Sequence, residues 1–232
     1  MLLRRIALGL AVTALVVVAA LVLVAAVVER SGPRAASGTG AVRHGAPADA
    51  PREADREVPA SWVRVGVGQA AYAVPPAWSR RPVSERVAYR EDGAVIASGR
   101  GQAVLSAQGC PVAWAVLADP VRSTNVSGVA EATALAWARG YAGLPIASGL
   151  VASGAATTED GQRGWSRVRI DLGADAGAGA GSGCAGERAE LTAVAQQSGA
   201  DVVALVVARY LDVPGAPPDA AYERVVGSLS AR

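Results

Sequence analysis

The sequence predicts an α+β domain in which a mostly antiparallel sheet is covered by two helices. Two observations lead there. Short runs that alternate apolar and polar side chains recur through residues 60–232, separated by turn signals of the Asp-Gly kind. One mid-chain and one terminal segment instead repeat apolar residues at helical spacing. Many hairpins with so few helices fit a sheet covered by helices rather than alternating strand–helix units.

Taken in order, residues 62–67 and 70–74 read as two short strands joined around Gly66, Gly68 and Gln69, and Pro75 and Pro76 end the second. Residues 86–90 and 94–98 flank Glu91, Asp92 and Gly93, where Asp-Gly suits the positive φ of a tight turn. Residues 101–107 and 112–118 follow as separate strands. Residues 128–140 form a helix, because Ala130, Ala134, Trp137, Ala138 and Tyr141 fall on one stripe. Residues 150–158 pair with 162–172 through Glu159, Asp160 and Gly161, and 187–197 pair with 202–210 through residues 198–201. Residues 202–207 are almost wholly apolar, as in a strand covered on both faces. The last helix starts at Asp219, which is placed to cap it or to complement its N-terminus. Its core stripe is Tyr222, Val225, Val226 and Leu229.

The chain ahead of this domain has a different character. Residues 6–28 are uncharged and apolar, long enough as a helix to cross a ~30 Å hydrocarbon core. Arg4 and Arg5 precede them, which puts residues 1–5 in the cytoplasm and the rest outside. A cleaved signal peptide is the rival reading, with Val24 and Ala26 offering a peptidase site, although its apolar core is normally shorter. No cysteine stands near the end of the run, so a lipoprotein anchor is not expected. Residues 29–59 are rich in Gly, Pro, Ala, Ser and mixed charge and read as a flexible linker. The expected layout is therefore a cytoplasmic tail (1–5), a signal-anchor (6–28), a disordered linker (29–59) and an extracytoplasmic domain (60–232).

Composition narrows the chemistry. The formal charge is +2, and all 22 basic residues are Arg, since the chain has no Lys. Residues 59–232 hold fifteen Arg and fifteen acidic residues, so the domain is neutral and nucleic acid is not an expected partner. Arg163, Arg167 and Arg169 offer a local basic patch, but alternation on a strand reads better as a solvated face. The single His, His44, falls in the linker. Without Lys or a structured His, most nucleophile–base pairs and His-ligated metals drop out, and no catalytic, cofactor or metal residue is assigned. The acidic pairs Glu91–Asp92 and Glu159–Asp160 each stand before a turn Gly, which accounts for them, and no spacing resembles a Ca²⁺ loop. Gly181, Gly183 and Gly186 match G-x-G-x-x-G with Asp201 downstream, yet they follow no strand and open no helix, so a flexible loop is expected. The sequon at Asn125 carries little weight. Trp62, Trp78, Trp114, Trp137 and Trp165 replace the missing Phe as large core residues. Cys110 and Cys184 complete the cysteine inventory. An even count outside the cytoplasm favours one disulfide between them, and a redox-active thiol is the weaker alternative because neither has a CxxC partner.

Three stretches carry a resemblance: Tyr72-Ala-Val-Pro-Pro-Ala-Trp78, residues 130–141 with Trp137-Ala-Arg, and the closing segment 202–229, where residues 213–219 lead into a helix ending Gly227-Ser-Leu229. Together they resemble a family of actinobacterial membrane-anchored or secreted domains of unknown function. Its fold is similar to the PsbP-like α/β/α sandwich, also seen in mycobacterial LpqN-type lipoproteins. The resemblance places Cys110 where members carry a Cys after a short strand, with Cys184 as its partner, and it implies no catalytic residues. The expected function is a non-enzymatic module, tethered to the lipid bilayer by its N-terminal helix, that binds a cell-envelope protein or polymer. The alternative is a small-ligand or lipid-binding carrier.

Overall fold

The computed structural model describes residues 58–142, 150–157, 162–172 and 186–231. In chain order they form β1 (Val63–Val67), β2 (Ala70–Val74), β3 (Ser79–Arg80), β4 (Arg86–Glu91), β5 (Ala94–Ala107), β6 (Cys110–Arg122) and α1 (Val126–Ala142). There follow β7 (Leu150–Thr157), β8 (Arg163–Asp171), β9 (Arg188–Ser198), β10 (Asp201–Tyr210), α2 (Asp219–Gly227) and β11 (Ser230–Ala231). An eight-stranded sheet runs in the order β3-β5-β6-β10-β9-β8-β7, with β4 also on β5, and a three-stranded sheet runs β1-β2-β11. Every pairing is antiparallel. The fold is the α+β sandwich that the hairpin signals predicted.

The alternation of each strand separates two cores. On one face, Ala113, Leu117, Trp165, Val194, Leu205 and Val207 meet Tyr72, Val74 and Trp78 before the main sheet and Tyr222, Val225 and Val226 of α2. On the other face, Trp114, Val116, Val168, Leu191 and Val206 meet Ala134, Trp137 and Ala138 of α1. Val126 and Ala130 extend this second layer over Ala195, Val202 and Ala204. The central strand β10 is covered on both faces, which is why its sequence is apolar almost throughout. Four of the five tryptophans are buried, and Trp62 is half-buried against the first core.

Two of the differences from the sequence reading have a clear local cause. Residues 94–107 form one strand, not two. Gly101 adopts φ +62° and the register with β6 shifts between Arg100 and Ala103, so the chain bulges and turns over without leaving the ladder. Gly99 passes so close to β6 that a Cβ there would lie 2.3 Å from the Leu117 carbonyl oxygen. Gly99 and Gly101 are what let the strand run on.

Helix α1 begins at Val126 rather than Gly128, because Asn125 is its N-cap. The Asn125 Oδ1 accepts from the Gly128 N–H at 3.0 Å and the Asn125 carbonyl from the Val129 N–H at 3.0 Å. Asn125→Ala is therefore expected to lower unfolding free energy by about 1 kcal/mol in urea titration, whereas Asn125→Asp should keep most of the stability. At α2 the cap position is Pro218, which supplies no side-chain bond, and Asp219 is the first helical residue. Asp219 thus complements the helix N-terminus and does not cap it.

Among the described residues no helix is long and apolar enough to cross a membrane. The expected anchor at residues 6–28 and the linker up to residue 57 lie outside the described residues.

Candidate functional site

The three arginines of β8 provide the first test of the site readings, and they do not form a solvated face. Their parity on β8 matches that of Trp165, so they point at the core under α2. Arg163 donates to the carbonyls of Gly227 and Leu229 at 2.9 and 3.3 Å, closing the C-terminal end of α2. Arg167, with its side chain only 15% exposed, lies 2.5 Å from Glu223 and donates through Nε to Thr192 Oγ1 at 3.1 Å. Only Arg169 is largely exposed, and its Nε contacts Glu190 at 3.1 Å.

Glu190 is 1% exposed and is the centre of this cluster. The ladder sets Arg169 of β8 and Arg209 of β10 directly across from it on its two neighbouring strands. Arg209, 8% exposed, donates to Glu190 at 3.0 Å and pairs with Asp219 at 2.7 Å. Its guanidinium also lies 4.2 Å from the centre of the Tyr222 ring. The Tyr222 hydroxyl donates to Val207 O at 3.1 Å and sits 2.9 Å from Thr192 Oγ1. Burial pulls the Arg209 guanidinium down, but Asp219 and Glu190 outweigh it and hold it above its ordinary value. Burial pushes the Glu223 carboxyl up, against the opposing pull of Arg167. Among the described residues three guanidinia face three carboxylates, so the cluster fastens α2 to the sheet.

Other expected features resolve simply. Asp92 and Gly93 take positive φ in the β4–β5 turn, and Glu91 pairs with Arg139 of α1 at 2.7 Å. Cys110 opens β6, while Cys184 lies outside the described residues. So do Glu159, Asp160, Gly181 and Gly183. Gly186 instead packs at Asp212, and Asp201 opens β10. Among the described residues no cluster of metal-ligating side chains occurs.

Open space lies at the other end of β10. There the β6–β10 register shifts so that Asp119 and Pro120 together stand opposite Val203. Proline, which has no N–H to contribute to the ladder, suits that bulge. The bulge is held from β4 and β5: Ser98 Oγ donates to Asp119 Oδ2 at 2.6 Å, and Arg86 pairs with the same oxygen while reaching Ser98 Oγ at 3.1 Å. A cleft lies on each side of the bulge, and both share Ala118, Asp119 and Pro120. On the α1 side a cleft of about 290 Å³ runs between Val95, Ala97 and Val121 of the sheet and Ala132, Ala136 and Trp137 of the helix. On the small-sheet side a cleft of about 240 Å³ has Val67, Leu117 and Val203 as its floor and Gln69, Arg100 and Asp201 at its rim.

The family model described as a domain of unknown function (DUF8017) matches residues 55–231. The chain belongs to the DUF8017 family. The match starts close to the expected domain boundary and covers every described strand and helix. No curated protein matches the chain. Among solved structures, the DUF8017 domain is similar to the Ran-binding protein Mog1p of Saccharomyces cerevisiae at 10% identity and a TM-score of 0.40, over 73% of this chain and 95% of that one.

In the DUF8017 domain, the sequence reading missed Glu190, Arg209 and the Asp119 bulge. The first two left a signal: Arg209 shares parity with Val203, Leu205 and Val207, and Glu190 with Thr192 and Val194, so each is a charged residue at an inward position. The bulge left only Pro120, two residues past the end of the strand read at 112–118.

Proposed function

We propose that this chain is a non-enzymatic, membrane-tethered extracytoplasmic module that binds a cell-envelope partner through the cleft between β5, β6 and α1. The observation that carries the reading is the lip of that cleft. Val95 and Val121, each 46% exposed, are two of the three large apolar side chains that stand out from the described surface, and both border the cleft over Trp137. Paired exposed aliphatics beside a buried aromatic floor suit an aliphatic anchor side chain from a partner.

In this reading residues 6–28 span the membrane with the N-terminus inside, residues 29–59 are the tether, and the sandwich is PsbP-like. A Cys110–Cys184 disulfide staples the domain. The non-enzymatic assignment rests on the chain itself: it has no Lys, its one His is His44, and Asp119, the carboxylate shared by both clefts, is engaged by Arg86 and Ser98.

The test is photocrosslinking in intact cells from a probe placed at Val121 in the full chain. Attachment of one envelope protein is expected, lost on Val95→Asp and retained on Val83→Asp, a change at the third exposed valine, away from the cleft. Equal capture from a probe at Val83, or capture indifferent to Val95→Asp, would overturn the assignment.

A further inference from the structure

The second cleft has its own charge pattern. Arg86 of β4 and Arg100 of β5 stand directly opposite each other in the ladder. Like charges so placed repel unless each finds a counter-charge. Arg86 has one in Asp119. Arg100 is exposed and has no ion pair or side-chain hydrogen bond among the described residues. It stands at the rim of the cleft whose floor is Val67, Ala70, Leu117 and Val203. Two carboxylates also face this space. Asp119 is already held by Arg86 and Ser98, and Asp201 lies at the far end, on β10, with β6 between it and the strand of Arg100. The near end of the cleft is therefore cationic, the middle apolar, and the far end acidic and polar.

The wall that carries Arg100 is fixed from below. Its neighbour Gly101 turns through φ +62°, and the buried Tyr72 hydroxyl donates to the Gly101 carbonyl at 2.6 Å. A Cβ at Gly101 would lie 2.8 Å from Val67, so the β1–β2 hairpin packs against bare backbone. A receptor group mounted on such a wall is pre-organised.

We infer that this cleft binds a small amphipathic monocarboxylate, its carboxylate on Arg100 and its aliphatic chain over Leu117 and Val203. A second carboxylate at the far end would meet Asp201, so dicarboxylates of the same length are rejected. The site lies across the sheet from the partner cleft and stands independently of the crosslinking result.

The experiment is calorimetric titration of the full chain in lipid nanodiscs with hexanoate, adipate, hexanol and hexylamine, with empty nanodiscs as the blank. Saturable uptake of hexanoate at one site per chain is expected, above adipate and hexylamine. Arg100→Gln should weaken hexanoate by about tenfold and leave hexanol unchanged, because only the charge-assisted bonds are lost. Arg100→Lys should restore part of the affinity. Arg100 is exposed, so these variants keep the fold. No saturable uptake above the blank, or hexanoate binding equal in the parent chain and Arg100→Gln, would overturn the inference, as would adipate binding as well as hexanoate.

Discussion

Glu190→Leu is expected to lower the unfolding free energy by about 3–5 kcal/mol, the range for removing one partner of a buried ion pair. The carboxylate is enclosed, and it is the shared acceptor of Arg169 and Arg209. Without it, Arg209 keeps Asp219 and the Pro217 carbonyl but loses its only enclosed counter-charge, since the Asp219 side chain is largely in water. Among the described residues the Arg209 Nε already has no hydrogen-bond partner, so the guanidinium has little left to fall back on. Adding Arg209→Met to Glu190→Leu should recover a large part of the loss, because an apolar pair of similar volume needs no counter-charge. Chemical denaturation of the two single variants and the double variant gives the coupling directly. A Glu190→Leu cost within about 0.5 kcal/mol, as for an ordinary surface change, would show that the cluster does not hold α2 to the sheet.

Trp137→Ala is the second large effect, again about 3–5 kcal/mol, from lost burial and the cavity left behind. Trp137 is 2% exposed and joins a run of rings: Tyr89 edge-on at 5.5 Å, then Trp114 at 5.5 Å, with Tyr141 and Tyr210 beyond. Collapse cannot fill the hole, because α1 already touches the sheet beside it: a Cβ on Gly140 would lie 2.4 Å from Tyr89. Denaturation together with near-ultraviolet circular dichroism reads both the energy and the loss of ring order. Trp62→Ala, at a half-buried position, is the internal control and should cost clearly less.

The strands were legible because each carries its own alternation, and the stripes on α1 and α2 were legible for the same reason. What stayed hidden depends on residues far apart in sequence. Nothing near Gly99 and Gly101 announces that β6 lies close against Gly99, so the single strand 94–107 reads as two. Arg167 looks like a surface residue until Glu223, on a helix that starts 52 residues later, is brought over it. Asn125 reads in the sequence as part of a glycosylation triplet, although its local work is capping α1. The candidate clefts were the least legible part. They arise where a bulge, a hairpin tip and a helix flank come together, and no window of sequence contains all three.

The small sheet has a mechanical consequence. β1 is its outer strand, held to β2 from Val63↔Val74 to Val67↔Ala70, while β11 sits on the other side of β2. A pull arriving from the N-terminal side loads β1 at Val63 and opens those antiparallel bonds one after another, as a zipper opens. α1 and the ion cluster under α2 take no part in that first yielding, and on the eight-stranded sheet it lifts Val65 and Val67 off Gly101 of β5. The domain therefore gives way at a five-residue strand before the α1-side cleft feels the load, whereas the small-sheet cleft, whose floor includes Val67, opens with β1 and is restored when β1 re-pairs.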